Sequence, residues 1–491
     1  MRRRPSDWLM HVSESPAMSP AVGQMSVGRR LAGAIDHLIF GGVVVTVLIT
    51  PVQSFAIEFL LVMSVTLLFL WGLQAALRAY FSLVWSPVYW WIMAFLCVAL
   101  IQLIPLPWRR APFSDVVGLN GTWSALTMSS AATAQVAIAL AALLGLLLVA
   151  AQVVTTVQRL RRLAAWLIFL GCFVSLIGIA EMFSVEGEPL ISGRPNPLGL
   201  SFPSLTSLVG LIELIFPLAL ATAFSSAVEP DQRVMSGLAA IAMGVAVALA
   251  NTTGGIFVLI VALCAWIWLI ARQRVAFDQA HRSSAGLRRL WIGVAGIVMV
   301  IVVGVSLLAT ASIPQQVRSD VAAEIESLVG TGFDPASSHQ SRIQTWRNSW
   351  SMISDYPLLG VGVGAYPVAY SRYDTGAGYM MMNAAHNDYL QVVCETGLIG
   401  ASLLLFFLIA VARLWGRALR CREPRLWHVA GGATVGCIAI LVHSLVDFYL
   451  QQPATALVFF LLLAMLIGVS RFELSTAANA QPMGMQQPRR L

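Results

Sequence analysis

Charged side chains are scarce in this sequence, and lysine is absent altogether. Of the 491 residues only 11% are charged and 58% are hydrophobic, whereas soluble domains carry roughly a quarter charged residues. A chain with so little charge cannot cover a water-facing surface of ordinary size, so the composition excludes an ordinary soluble protein. The mean hydropathy of +0.79 indicates a chain that lies mostly in a membrane.

Sequence motifs for metal, redox and nucleotide chemistry are also missing. The six cysteines are scattered without Cys-x-x-Cys or another metal-ligand spacing, so we expect no metal, no cofactor, and cysteines that act as small packing residues. The glycines of PLLGVGVGAY follow GxGxG rather than GxGxxG spacing. They predict a tight turn with close backbone packing rather than a nucleotide site. The absence of a phosphate-binding loop on the cytoplasmic side argues against an ATP-driven pump.

Long apolar runs dominate what the sequence does contain. Each has 17 or more residues, enough to cross a hydrocarbon core of ~30 Å at 1.5 Å per residue. The sequence therefore predicts an all-α fold, a polytopic integral membrane protein with about twelve transmembrane helices. The predicted spans are 34–50, 57–76, 87–105, 134–154, 163–183, 206–226, 236–252, 254–271, 290–310, 397–414, 428–449 and 454–470.

The arginines determine the predicted orientation. With a cytoplasmic N-terminus, 23 of the 30 arginines fall in tails and loops on the inner side, as the positive-inside rule requires. Both termini are then cytoplasmic, and topology accounts for the net charge of +7 without a nucleic-acid partner. The basic inner face suits contact with anionic membrane lipids.

The hydrophobic pattern divides the chain into five parts. Residues 1–33 lack the apolar core of a signal peptide and are predicted to be a cytoplasmic tail. Residues 34–310 form an N-terminal transmembrane bundle, 311–396 a large periplasmic loop, 397–471 the C-terminal transmembrane helices and 472–491 a second cytoplasmic tail. The loop is far longer than a helix connection needs and is not of low complexity, so we expect it to be folded and functional.

A helix inside the large loop carries the first candidate group. The sequence predicts this helix from a serine cap to about Asp355, where a Tyr-Pro pair ends it. Arg342, Thr345 and Ser349 share a polar face beside an apolar stripe that includes Trp350. From spacing alone, Arg342 is either a functional cation or a solvated charge that snorkels beside the bilayer.

The stretch AAHNDYLQVVCETGLIG supplies the second candidate group. Asn387 is predicted to cap a new helix with Asp388 in its first turn, which places His386 at the mouth of that helix. Glu395 lies about 180° away around a continuous helix and is predicted to be a structural group. Taken singly, His386 is open to two interpretations, a satisfied buried histidine or a catalytic one.

Two further sets of ionisable residues lie near or within predicted spans. His443 and Asp447 are four residues apart, share a helical face and form a predicted pair that orients helices or serves function. Glu213, beside Pro217, is the other intramembrane charge, and we expect it to contact a polar headgroup or a water-filled cavity.

The order of these segments resembles a known family. SRIQTWRNSWSMISDYPLLGVGVGAY, then AAHNDYLQVVCETGLIG, then LVHSLVDFYLQQP is similar to the O-antigen ligase and polymerase superfamily. The resemblance covers about residues 190–470 and implies a membrane glycosyltransferase of the GT-C-like kind. It implies a multi-pass protein of the bacterial inner membrane that works in surface polysaccharide biosynthesis.

The resemblance also implies a reaction. Such proteins are metal-independent, inverting glycosyltransferases that take a glycan from undecaprenyl diphosphate on the periplasmic side. Ligases pass the glycan to the lipid A–core of lipopolysaccharide, and polymerases pass it to another lipid-linked repeat unit, as for an exopolysaccharide. A transporter of lipid-linked oligosaccharide is the alternative from another class, but the sequence shows no convincing internal repeat of the kind transporters carry.

The residues implied by the resemblance are a histidine and arginines of the outer side. The family's loop histidine corresponds to His386, the proposed base, and its helix arginine to Arg342, which suits a diphosphate because guanidinium is planar and permanently charged. Arg194 and Arg347 are further candidates for binding the diphosphate or the glycan. The family commonly has Ser-Arg-Gly entering a mid-chain span, but this chain has Thr253 where that arginine would stand. This departure mainly weakens the prediction that the acceptor is the lipid A–core.

Overall fold

The computed structural model describes residues 22–49, 53–78, 83–105, 125–182, 205–250, 255, 257–267, 335–374 and 384–479. Over these residues the chain is almost entirely helical, and β pairing is limited to one isolated bridge between Pro105 and Ala125. Because membrane-spanning backbone must satisfy its hydrogen bonds internally, long helices are the structure expected from the apolar runs.

The described helices follow one another along the chain. They are α1 (Val22–Ile49), α2 (Gln53–Arg78), α3 (Pro87–Gln102), α4 (Ser130–Val153), α5 (Val157–Met182), α6 (Leu205–Ala223), α7 (Pro230–Leu249), α8 (Phe257–Ile267), α9 (Pro335–Asp355), α10 (Tyr366–Tyr370), α11 (Asp388–Ala418), α12 (Pro424–His443) and α13 (Pro453–Asn479). A 3-10 turn covers Tyr449–Gln451.

Most of the predicted spans coincide with described helices. Eight of these, namely α1, α2, α4, α5, α7, α11, α12 and α13, are long and apolar enough to cross a membrane. The helices α3, α6 and α8 are shorter apolar helices at three other predicted spans. The predicted span 290–310 lies outside the described residues. The prediction of a helical, polytopic membrane protein is confirmed.

One of two predicted helix ends near the candidate site is confirmed and the other is wrong. Helix α11 begins at Asp388 with Asn387 as its cap, as the sequence predicts, so the helix starts nine residues before the predicted membrane span. Helix α12 ends at His443 rather than at 449. There the N–H groups of Val446 and Asp447 both turn back to the carbonyl of His443, at 2.9 and 3.0 Å. Asp447 therefore lies in a turn outside the helix.

The core of the bundle is built around α13 and the pair α6 and α12. Every residue of α13 from 453 to 470 is buried. Helices α6 and α12 pack most closely because α12 has glycines at the contact. A Cβ at Gly432 would meet the Cα of Leu218, and one at Gly436 would meet the carbonyl of Leu214. Small residues allow such close backbone approach in membranes.

The described part of the outer loop has a hydrophobic core of its own. Helices α9 and α10, the glycine turn and the start of α11 contribute to it. Its buried residues are Met352, Val361, Ala365, Tyr366, Ala369, Tyr370, Ala385 and Cys394. This core gives the loop a fixed shape above the ends of the transmembrane helices.

Helix α9 is oriented with its polar face inward. Ser349 is fully buried, and its hydroxyl lies 2.8 Å from the hydroxyl of Tyr366, while Asn348 donates to the hydroxyl of Tyr370 at 3.0 Å. Ile343 and Trp350, from the apolar stripe, are 51% and 67% exposed. The tyrosines bond the buried polar groups, and the exposed Ile343 and Trp350 are left for the membrane interface, where Trp is enriched.

Candidate active site

A backbone break in α11 sets the geometry of the site. Gly397 has φ +61°, inside an otherwise continuous run of helix. The N–H of Leu398 donates to the carbonyl of Pro357 at 2.8 Å, and a Cβ at Gly397 would collide with the carbonyls of Pro357 and Leu358. Only glycine fits this conformation and this close approach. The break thus fixes the first turns of α11, residues 388–396, to the outer loop.

The glycine-rich segment forms the tight turn that its spacing predicts. Gly360, Gly362 and Gly364 have φ values of +67°, +112° and +75°. The N–H of Gly362 donates to the carbonyl of Glu395 at 3.0 Å. The side-chain amide of Gln102, at the end of α3, donates to that same carbonyl at 2.9 Å. These bonds fasten the turn to the membrane bundle, and its glycines serve backbone packing.

His386 lies immediately before α11 in an unusual backbone conformation. Its φ is +50°, which makes it the sole non-glycine residue with positive φ among the described residues. On one side Asn387 accepts the N–H of Leu390 at 3.0 Å and caps α11. On the other side the indole of Trp346, on α9, donates to the carbonyl of Ala385 at 3.0 Å. Both flanks of the histidine are therefore held by separate elements.

The imidazole of His386 faces the carboxylate of Asp447. Its Nδ1 lies 3.7 Å from Oδ1 of Asp447, with side-chain exposures of 30% and 23%, and the ring of Phe448 packs edge-on at 5.0 Å. The distance exceeds that of a hydrogen bond, but contacts of catalytic groups are often long before substrate binds. Nδ1 is buried, so Nε2 is the ring nitrogen available for a reacting proton.

The electrostatics of Asp447 favour its charged form. Burial raises the pKa of this carboxyl, but the interaction with His386 and the N–H of Phe448, 3.0 Å from Oδ1, lower it by more. The net pKa lies below the ordinary value. Asp447 therefore stays ionised at every pH above its ordinary pKa of about 3.9, and its stabilising interactions are lost only when the pH falls through the lowered pKa.

Arg342 reaches the same turn from α9. Its Nη1 donates to the carbonyl of Val446 at 3.4 Å, from a partly buried position. Trp346 lies one helical turn further along α9 and so shares this face. A guanidinium has five N–H donors, and the bond to Val446 uses one of them. Arg342 and His386 thus border one segment, residues 446–447.

The two sides of the site are joined by a polar network around Asp388. Its Oδ2 accepts the hydroxyl of Ser444 at 2.8 Å, and its Oδ1 accepts the amide of Gln451 at 2.9 Å. The backbone N–H of Asp388 also donates to the carbonyl of Ser444 at 2.9 Å. These bonds connect residues about sixty positions apart and hold His386 beside Asp447.

The structure corrects the predicted pairing of His443 with Asp447. Because α12 ends at His443, the two side chains take different partners. Nδ1 of His443 lies 2.8 Å from Oε2 of Glu213, and these side chains are 2% and 0% exposed. Glu213 therefore does not reach a headgroup or an open cavity, as its sequence context suggested. It joins α6 to α12 in the core, with the ring of Tyr449 at 4.7 Å from His443.

Glu395 lies inside the loop core, away from the imidazole. It is buried, and its Oε1 accepts the amide of Gln391 at 3.0 Å. Gln391 in turn accepts the N–H of Ala385, at 3.0 Å. Glu395 thus supports the residue that precedes His386, through a single intervening side chain.

Of the two remaining candidate arginines, Arg347 is described by the structure and lies away from this site. Arg347 is exposed on α9, and five residues from Arg342 correspond to about 140° around a helix, so the two point to different sides. Arg194, and Thr253 at the position of the missing arginine, lie outside the described residues.

Sequence reasoning missed the roles of Asp447 and Asp388 because both depend on contacts between distant segments. A usable signal was present. Each carboxylate stands at a helix end on the outer side, as His386 does, and buried carboxylates require partners.

The site combines, among the described residues, a candidate base, a carboxylate beside it and a guanidinium that uses one of its five N–H groups to bond Val446. Among the described residues, no group of three or more His, Cys, Asp or Glu side chains could hold a metal ion. A base with a carboxylate behind it can take a proton from a hydroxyl. A guanidinium can stabilise negative charge on a phosphate leaving group.

Comparison with known proteins supports the resemblance seen in the sequence. Residues 238–405 match the family model described as O-antigen ligase. The matched range includes Arg342, Arg347, His386 and Glu395 and ends before His443 and Asp447. A search of curated proteins finds no match.

Proposed function

The chain belongs to the O-antigen ligase superfamily through its domain at residues 238–405, and from this premise we propose that it transfers an undecaprenyl-diphosphate-linked glycan to an acceptor hydroxyl. The family supports a ligase- or polymerase-like role in polysaccharide biosynthesis. The observation that carries the proposal is that His386 and Arg342 both contact one turn, His386 through Asp447 and Arg342 through the carbonyl of Val446.

His386 acts as the general base in this proposal. The acceptor hydroxyl attacks the anomeric carbon of the donor sugar as Nε2 of His386 takes its proton. The bond from that carbon to the diphosphate oxygen breaks, and undecaprenyl diphosphate leaves. A single displacement of this kind inverts the anomeric configuration. Asp447 orients the ring through Nδ1 and stabilises the imidazolium that forms, as the carboxylate does in a serine protease triad.

Arg342 binds the diphosphate in this proposal. Negative charge grows on the leaving group as the glycosidic bond breaks, and a fixed guanidinium stabilises that charge without reorganisation. The bond to Val446 orients the side chain and leaves other N–H groups for phosphate oxygens. Arg194 and Arg347 remain proposed contacts to the diphosphate or the glycan, and Arg347 fits the glycan better because it is exposed and turned away from Arg342.

The proposal places this site on the periplasmic side of the bacterial inner membrane, with both termini in the cytoplasm and twelve spans in a GT-C-like arrangement. The distribution of arginines supports the orientation. Lipid-linked glycan reaches the site from the bilayer, which suits its position above the ends of α11 and α12. No nucleotide or metal takes part in this reaction scheme.

Ligase and polymerase reactions use the same donor and differ in the acceptor. The ligase reaction is the one that the family description names. Thr253, in place of the family's arginine, favours a different glycan or acceptor, so an exopolysaccharide polymerase is the second candidate.

A deletion strain complemented with His386→Ala tests the function. Surface polysaccharide is separated on gels, and undecaprenyl-linked glycans are measured by mass spectrometry. Accumulation of long lipid-linked polymer with none on the final acceptor identifies a ligase. Accumulation of single repeat units identifies a polymerase. Normal glycans in this strain would overturn the proposal.

The exposed His37 on α1 offers a matched control. His37→Ala removes the same side chain at a distance from the outer loop, so the control strain should make normal glycans. Membrane fractions of both strains should contain equal amounts of the protein, which separates a loss of chemistry from a loss of folding.

A further inference from the structure

A cavity lies at the opposite end of the bundle from His386. It has a volume of about 730 Å³ and is formed between α5, α7 and the starts or ends of α6 and α12. Arg425, at its mouth, and His443, beside the candidate active site, are 18 residues apart on α12, roughly 27 Å at 1.5 Å per residue. The cavity is therefore separate from the candidate active site.

The mouth of the cavity is basic. Arg161, Arg162 and Arg425 line it together with the polar side chains of Gln158 and Gln232. Arg161 donates to Oε1 of Gln232 at 3.3 Å, which holds one guanidinium at the rim with donors left over. Among the described residues that line the cavity there is no carboxylate. No described lining side chain therefore neutralises the positive charge of the three arginines.

The interior of the cavity is mostly apolar. Ile168, Phe169 and Cys172 of α5 face Met235 and Ala239 of α7 across it. Phe169 and Met235 are 61% and 66% exposed, so the cavity opens sideways towards the surroundings of the bundle. This side is one that lipid would occupy in a membrane.

The dimensions match one leaflet of a bilayer. The eleven residues from Arg161 to Cys172 span roughly 16 Å along α5, about half of a hydrocarbon core of ~30 Å. A basic mouth at one end, an apolar wall of leaflet depth and a lateral opening suit a molecule with an anionic head and an acyl chain. A free phosphate ion could bind the basic mouth, but it has no apolar part to fill the rest of the cavity.

We propose that this cavity binds an anionic phospholipid, with its phosphate at Arg161, Arg162 and Arg425 and one acyl chain along Ile168 and Phe169. The lipid would fill space between α5 and α7 at the end of the bundle opposite His386. The proposal stands independently of the glycan-transfer reaction.

Native mass spectrometry of the full-length protein with phosphatidylglycerol or phosphatidylcholine tests the proposal. The wild type should retain phosphatidylglycerol in preference to phosphatidylcholine. The double variant Arg161→Gln/Arg425→Gln should bind phosphatidylglycerol at least about tenfold more weakly, because each basic group near an anionic surface contributes measurably. Equal retention of both lipids by the wild type would overturn the proposal.

A control with the same change in charge separates a site from general surface attraction. Arg413 and Arg417 lie exposed at the same end of the bundle, on α11, and do not line the cavity. Arg413→Gln/Arg417→Gln should keep binding of phosphatidylglycerol within about twofold of wild type. If both double variants lose affinity for phosphatidylglycerol equally, the lipid is attracted by the basic surface in general, and the proposed site is contradicted.

Two further measurements test the acyl chain. Ala239→Phe adds a ring to the apolar wall without removing charge and should reduce retention of phosphatidylglycerol, whereas unchanged retention would contradict the predicted position of the chain. Inorganic phosphate at millimolar concentration should not displace the lipid. Full displacement would show that the site binds only the anionic group and would contradict the proposed role of the acyl chain. Size-exclusion profiles equal to wild type establish that each variant is folded.

Discussion

At the scale of single residues, two buried or half-buried pairs organise the outer end of the bundle. Asp447 faces His386 and Glu213 faces His443, although all the acidic and basic partners lie far apart in sequence. The first pair is partly exposed and borders the turn that binds Arg342. The second is fully enclosed in the core. We therefore expect the first to affect the reaction and the second to affect stability.

Asp447→Asn tests the role of the first pair. The amide cannot stabilise the imidazolium that forms when His386 takes a proton, so the rate of glycan transfer should fall at least about tenfold. The melting temperature of the purified protein should fall only slightly, because Asp447 is partly exposed and the amide oxygen of asparagine can still accept the N–H of Phe448. Asp231→Asn, in the exposed first turn of α7, is the control. Transfer at the wild-type rate in Asp447→Asn would show that His386 acts without this carboxylate.

Glu213→Ala tests the role of the second pair. The substitution leaves His443 buried without its partner, which costs on the order of 3 kcal/mol. A clear drop in melting temperature is therefore expected in detergent. The double variant Glu213→Leu/His443→Leu should recover much of the loss, because an apolar pair of similar volume suits the core. Unchanged stability in Glu213→Ala would contradict a structural role.

At the scale of elements, the break in α11 determines where His386 stands. The glycine turn donates hydrogen bonds to the carbonyls of Cys394 and Glu395, while the two residues after Gly397 donate to the carbonyls of Pro357 and Leu358. An unbroken α11 would lose these bonds and detach the loop from the membrane bundle. The position of the site thus depends on a conformation that only glycine adopts readily.

Gly397→Ala and Gly416→Ala form a matched pair on this helix. The first introduces a Cβ that collides with backbone at a positive φ, so both stability and glycan transfer should fall. The second lies on an open face with nothing within 4 Å of its Cβ and should stabilise the helix by about 1 kcal/mol. Thermal unfolding and a transfer assay measure both variants, and equal behaviour of the two would contradict the account of the break.

Local patterns predicted the elements better than their partners. The loop helix ending at Asp355, the cap at Asn387 and the glycine turn follow from rules about neighbouring residues, and the structure confirms them. The end of α12 was missed because apolar residues continue past His443. The pairings of Glu213 and Asp447 depend on how α6, α11 and α12 pack, which a local pattern does not encode.

At the scale of the whole molecule, the two ends of the bundle differ in chemistry. One end carries the loop core, His386 and Arg342, and the other carries the arginine-lined cavity. Arginine-rich loops mark the cytoplasmic side, so the asymmetry predicts which end faces the periplasm.

Labelling of single cysteines in intact cells tests this orientation. In a variant without the six native cysteines, Ser371→Cys in the outer loop should react with a membrane-impermeant thiol reagent added outside. Gly416→Cys, near the other end of α11, should react only after the membrane is opened. The reverse pattern would place the candidate active site in the cytoplasm and contradict the proposed use of a periplasmic donor.

Glycan transfer in vitro by the purified full-length protein carrying His386→Gln tests whether this histidine is the general base. Glutamine keeps polarity and approximate size but cannot act as a base at neutral pH. Transfer from the undecaprenyl-diphosphate-linked donor should be abolished, while donor binding and melting temperature should remain those of the wild type. The control His37→Gln should stay active. Transfer by His386→Gln at the wild-type rate would contradict the claim that this histidine takes the proton of the acceptor.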